Sequence, residues 1–113
     1  MNTVYLIGEL VMPLELRRDR NSGRTCGKTV IAVPRTKGII DFVPVTLRDR
    51  EAEMAARYLG DGSLVGIEGY IHSTVQPNPI VDDVRVIRRS LRVIADRVTY
   101  LRLPRRTGTE ARS

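Results

Sequence analysis

The sequence contains no tryptophan, one cysteine, one histidine and one phenylalanine, and only two of its nineteen basic residues are lysine. Each scarcity excludes something. The single thiol, Cys26, can close no internal disulfide and cannot assemble a metal site alone, so it reads as a small buried apolar residue. His72 has no Cys, His or carboxylate group around it at metal-ligand spacing, and no glycine-rich phosphate loop precedes a helix. No metal, cofactor or catalytic group is therefore expected, and the chain does not read as an enzyme. Gly60-Asp61-Gly62 follows a helical pattern instead of opening one, which makes it a C-cap and turn. Asp82-Asp83, in a proline-containing stretch, reads as a solvated turn before it reads as a cation site. Long hydrophobic runs are missing too. Val4-Tyr5-Leu6-Ile7 and Val43-Pro44-Val45 fall far short of the roughly 20 residues that span a bilayer. Met1-Asn2-Thr3-Val4 lacks the basic start of a secretory signal, so a cytoplasmic location is the expectation.

What is present is an ordinary apolar fraction and an unusual charge. At 113 residues and 42% hydrophobic content, the chain suits one folded domain with a modest core. Nineteen basic residues against thirteen acidic ones give a formal charge of +6. Between Arg85 and Arg106 stand eight arginines (Arg85, Arg88, Arg89, Arg92, Arg97, Arg102, Arg105, Arg106) and one acid, Asp96. A guanidinium offers a planar fork to phosphate oxygens and a flat face to bases. The asymmetry points to a polyanionic partner, although a solvated solubilising face has the same composition, and composition alone leaves the two even.

The apolar period places strands at residues 3–12, Thr29–Val33 and Ile39–Leu47, with Arg17–Gly23 a loop ending in the turn signal Asn21-Ser22-Gly23. Pro44, inside the third strand, indicates an edge or a bulge. The pattern then changes: Asp49 is a plausible N-cap, and Arg50–Leu59 is a helix of good formers stopped by Gly60 and Gly62. Ser63–Thr74 reads as a fourth strand, Gln76–Asp83 (with Pro77 and Pro79) as a loop, and Val84–Leu101 as the last strand. Three strands, one helix and two strands is the layout of an all-β, five-stranded Greek-key barrel of the OB type, with one short helix between strands 3 and 4. The domain spans residues 1–103, and 104–113 reads as a short basic disordered tail.

Particular residues carry a resemblance. Asn2-Thr3-Val4-Tyr5-Leu6-Ile7-Gly8-Glu9-Leu10 and Leu14-Glu15-Leu16-Arg17 resemble the opening of bacterial single-stranded DNA-binding proteins. Asp41-Phe42-Val43-Pro44-Val45 is similar to their third strand. Ala52-Glu53-Met54-Ala55-Ala56-Arg57-Tyr58-Leu59, then Gly62-Ser63-Leu64-Val65 and Ile67-Glu68-Gly69, match their helix, turn and fourth strand in register. The resemblance implies an OB fold, largely sequence-independent binding of single-stranded DNA in replication, recombination or repair, a nucleoid-associated place in the cell, and a homo-oligomer, a tetramer before a dimer.

By that resemblance Phe42 falls where a principal stacking tryptophan of the family lies; its other reading is a core residue. Arg48 occupies a further aromatic position and Arg50 a basic one. The expected DNA-binding set is Phe42, Arg48, Arg50, Arg35, Lys37, Tyr70, His72, Arg85, Arg88 and Arg89. Tyr5 offers another face, whereas Tyr58 and Tyr100 read as packing residues. Few rings and many arginines imply binding that leans on phosphates and is sensitive to salt. The basic end Glu110-Ala111-Arg112-Ser113 lacks the acidic tip of replicative members. A tail-less variant near primosomal replication protein N is the expectation, with replication or restart proteins as further partners. An adaptor acting mainly through protein contacts is the alternative, and RNA is an alternative polymer.

Overall fold

The computed structural model describes residues 1–81 and 84–104, and the side chains of residues 1–74 and 90–104. Six strands and one α-helix follow in the order β1 (Val4–Leu10), β2 (Glu15–Arg18), β3 (Thr25–Pro34), β4 (Ile40–Arg48), α1 (Asp49–Tyr58), β5 (Leu64–Val81) and β6 (Val84–Arg102), with a 3-10 turn at Thr36–Gly38. The strands form one six-stranded sheet in the order β1-β5-β6-β4-β3-β2. This corrects the expected five-stranded Greek-key barrel. Among the described residues, β1 pairs with β3 only at Glu9 and Leu10 and β4 with β6, in parallel, only at Val45 and Thr46, and the helix falls between the fourth and fifth strands.

The additional strand, β2, lies in what the sequence pattern reads as partly loop. All four of its residues are exposed, so it has no buried apolar alternation to betray it. Backbone pairing with β3 defines it, from Glu15 opposite Lys28 to Arg18 opposite Thr25. The stretch Gln76–Val81, also expected as loop, continues β5, with Pro77 opposite Ile87 and Val81 opposite Val84. Asp82, Asp83 and residues 105–113 of the expected tail lie outside the described residues.

The core forms where the inward alternation of the strands meets α1. Ile31 on β3, Val45 and Leu47 on β4, Val65 and Ile67 on β5, and Val93 and Ala95 on β6 are buried together with Ala52, Ala55 and Leu59. Ala52 and Ala55 are three residues apart, which puts both on one helical face, and their small side chains let the helix approach the sheet closely. The expected Asp49 cap is corrected as well. Arg48 holds the N-cap position without a side-chain cap bond, and Asp49 has φ 54° and accepts from Arg24 Nη2 at 3.1 Å. Ser63, fully buried, closes the far end: its Oγ accepts from Gly60 N at 3.0 Å, and its carbonyl accepts from Leu10 N at 2.9 Å. This stitches the turn after α1 to β1.

Ile67 is 2% exposed at the centre of this core. Ile67→Val removes one buried methylene and is expected to cost about 0.5–1.5 kcal/mol, read as a lower midpoint of denaturant unfolding at unchanged slope.

Candidate nucleic-acid interface

Alternation along β4 decides which side chains leave the core. Val43, Val45 and Leu47 turn inward, so Phe42, Pro44, Thr46 and Arg48 share the opposite face. Phe42 is 63% exposed. A ring of that size left in water on a pleated strand contributes little to folding, so its alternative reading as a core residue fails. Residues Phe42 and Arg48 are six apart, or about 20 Å at some 3.3 Å per residue.

Pairing across the sheet brings other elements onto this face. Thr46 lies opposite Lys28 of β3 and Ile94 of β6, and Ile94 lies opposite Tyr70 of β5. Arg48 reaches across this row, where its Nη2 donates to the Tyr70 hydroxyl at 3.2 Å. His72, exposed, is the cross-strand neighbour of Arg92. Arg92 in turn donates from Nη1 to Thr46 Oγ1 at 2.8 Å. Phe42, Arg48, Tyr70 and His72 of the sequence-derived set therefore gather on one face of β4, β5 and β6.

The others are placed differently. Arg35 follows β3 and pairs through Nε with Asp41 Oδ2 at 2.7 Å, next to Phe42, so a carboxylate partly offsets its charge. Lys37 sits exposed in the 3-10 turn with φ 62°, at the end of β4 nearest Phe42. Arg50 leaves the shared face. It lines a crevice of about 240 Å³ with Glu51, Met54, Val98 and Tyr100, between α1 and β6. Tyr100 is partly buried and packs against the core; that burial raises its phenol above its ordinary value, with the Glu51 carboxylate and Tyr58 adding to the effect. Arg85, Arg88 and Arg89 belong to β6 by backbone, opposite Ile80, Gln76 and Val75, and their side chains lie outside those described. Cys26 is half-buried on β3, with Arg48 and Arg17 as cross-strand neighbours.

Arg92 is the residue that sequence reasoning missed. It belongs to the arginine-rich stretch already noted, but nothing in the stretch distinguishes one arginine from another. The distinguishing signal is position: among the described residues β6 pairs with both β4 and β5 only at Val93 and Ile94, and Arg92 stands next to that junction. Among the described residues, no cluster of three His, Cys, Asp or Glu could hold a metal ion, and no helix is long and apolar enough to cross a membrane.

The face thus offers an exposed ring, a tyrosine and two guanidinium groups on a pleated surface, a combination suited to planar bases and anionic phosphates. The chain is 35% identical over 106 residues to the single-stranded DNA-binding protein of Clostridium tetani (strain Massachusetts / E88), an overlap that covers 89% of this chain and 70% of the relative. It is 33% identical over 107 residues to single-stranded DNA-binding protein 2 of Staphylococcus aureus (strain Mu50 / ATCC 700699), covering 89% of this chain and 72% of the relative. With single-stranded DNA-binding protein 2 of Clostridium acetobutylicum it shares 35% identity over 78 residues, covering 65% of this chain and 59% of the relative. Residues 1–101 match the single-strand binding protein family, and the chain belongs to that family.

Proposed function

We propose that this protein binds single-stranded DNA, largely without regard to sequence, on the outward face of β4, β5 and β6, and that it has no catalytic step. The observation that carries the proposal is the exposed Phe42 ring on the same face of β4 as Arg48, which is itself joined to Tyr70. Phe42 and the Tyr70 ring stack bases, a contact open to every base because each has a π-face. Arg48 and Lys37 neutralise phosphates, and Arg85, Arg88 and Arg89 add positive charge further along β6. His72 stands within the same face. The role is in DNA replication, recombination or repair, where exposed single strands need cover.

The proposed assembly is a homo-oligomer, a tetramer before a dimer. Tyr5 and Ile7, 66% and 48% exposed on one face of β1, supply apolar surface for it. Light scattering of the purified protein reads the assembly directly.

The test of function is a titration of labelled oligo-dT at several salt concentrations. Binding should weaken steeply as salt rises, with log K falling by about 0.7 per phosphate contact for each unit of log salt concentration. Absence of binding even at low salt would overturn the proposal. A parallel titration with oligo-U separates DNA from RNA as the preferred polymer.

A further inference from the structure

Among the described residues, four arginines are neutralised by carboxylates: Arg17 by Glu15, Arg24 by Asp49, Arg35 by Asp41 and Arg102 by Glu9. Two others are held differently. Arg92 rests on the Thr46 hydroxyl at 2.8 Å and Arg48 on the Tyr70 hydroxyl at 3.2 Å. A carboxylate both fixes a guanidinium and cancels its charge. A hydroxyl fixes it and cancels nothing, so the remaining N–H groups keep their full attraction for an anion.

The two arrangements are interlocked. Thr46 and Arg48 are both on β4, two residues apart on one face, about 7 Å along the strand. Arg92 reaches β4 from β6, and Arg48 reaches away from β4 towards β5, across the row Tyr70–Ile94–Thr46. Thr46 is only 5% exposed, so its side chain is set by its surroundings, and its hydroxyl is a fixed anchor for Arg92. Long arginine side chains otherwise lose considerable rotamer freedom when they grip a ligand. Here part of that ordering is already done in the free protein.

We infer that Arg92 is a phosphate-binding residue of this face, and that Thr46 and Tyr70 are positioning residues which hold Arg92 and Arg48 ready for adjacent phosphates without neutralising them. The inference rests on the single-stranded DNA proposal above and adds to it one binding residue and two supports. Tyr70 thereby acts twice, its ring facing bases while its hydroxyl steadies Arg48.

The experiment measures oligo-dT affinity as a function of salt for the wild type and for Arg92→Gln, Thr46→Val, Thr46→Ser and Tyr70→Phe, with thermal unfolding run alongside. Arg92→Gln should weaken binding and reduce the slope of log K against log salt by about 0.7, the signature of one lost phosphate contact on a single strand. Thr46→Val and Tyr70→Phe should each weaken binding roughly fivefold, the scale of one net hydrogen bond, with the salt slope unchanged because every charge is still present. Thr46→Ser, which keeps the hydroxyl, should bind like the wild type. A purely structural role for Thr46 would move stability and leave the affinity of the folded protein alone, and that result overturns the positioning role. An Arg92→Gln variant with wild-type affinity and slope overturns the assignment of Arg92. Both of these differ from failure of the underlying proposal, in which the wild type itself does not bind oligo-dT.

Discussion

Gly69→Ala is expected to cost about 3 kcal/mol of folding stability, near the upper end of what overpacking a protein interior does. The reason is local and steric. A β-carbon at Gly69 would run into the carbonyl oxygen of Ile94, lie 2.9 Å from its carbon and 3.1 Å from Ala95 Cα. All three atoms are backbone, so no side-chain rotation relieves the contact. The site coincides with a register shift between Glu68 and Gly69 in the β5–β6 pairing, where one strand carries an extra residue and the backbones draw together. The same region sets Tyr70 opposite Ile94, so a repaired fit would also disturb the proposed binding face. Gly60→Ala is the matched control. Its new methyl would sit 3.4 Å from Pro104 Cγ, an ordinary contact, and its cost should stay within about 0.5 kcal/mol. Denaturant unfolding of both variants decides the matter, and equal midpoints would show that the close approach at Gly69 is not a constraint.

Phe42→Ala is expected to have the opposite profile, leaving stability nearly unchanged while weakening DNA binding by about 1–3 kcal/mol, or roughly 5- to 150-fold. Exposure is what separates the two quantities: a ring 63% exposed surrenders little buried surface when truncated. Its surroundings leave it free to stack. Ala32, its cross-strand neighbour on β3, is too small to cover it. Phe42→Tyr should retain most of the affinity because the π-face survives. Fluorescence anisotropy with oligo-dT, paired with thermal unfolding, reads both effects. An alanine variant that binds as tightly as the wild type removes Phe42 from the site.

How far the fold can be read from the sequence follows from which residues are buried. β1 and β4, rich in Val, Ile, Leu and aromatic residues, and α1, built of good helix formers and stopped by glycines, are legible as pattern. β2 is not, because Glu15, Leu16, Arg17 and Arg18 are all exposed and only backbone pairing marks them as a strand. That omission is also why the pattern suggests a five-stranded barrel where the chain forms a six-stranded sheet. The Gln76–Val81 segment misleads for another reason. Pro77 and Pro79 signal a break, yet there β5 pairs with β6 alone in the described pairings, and such a ribbon tolerates a missing N–H on its open edge.

The proposed binding face is partly legible. The family resemblance points to Phe42 and Arg48, Tyr70 belongs to the expected set, and the three stand on one face of β4 and β5. Arg50 falls outside the face because the helix that begins just after Arg48 turns it into the crevice with Tyr100, which counting along the chain does not reveal. Arg92 cannot be chosen from its neighbours without knowing that β6 lies beside β4, a parallel pairing between residues far apart in sequence.

If one face, built from β4, the β5 segment around Tyr70 and the β6 segment around Arg92, receives the DNA strand, its backbone amides should report the ligand. Amide chemical-shift mapping of the protein with a short oligo-dT provides that readout. The largest shifts should fall at Phe42–Arg48, Tyr70–His72 and Arg92, with α1 nearly silent. Shifts concentrated on α1, with Phe42 and Arg92 unmoved, would place the DNA elsewhere and refute this face as its site.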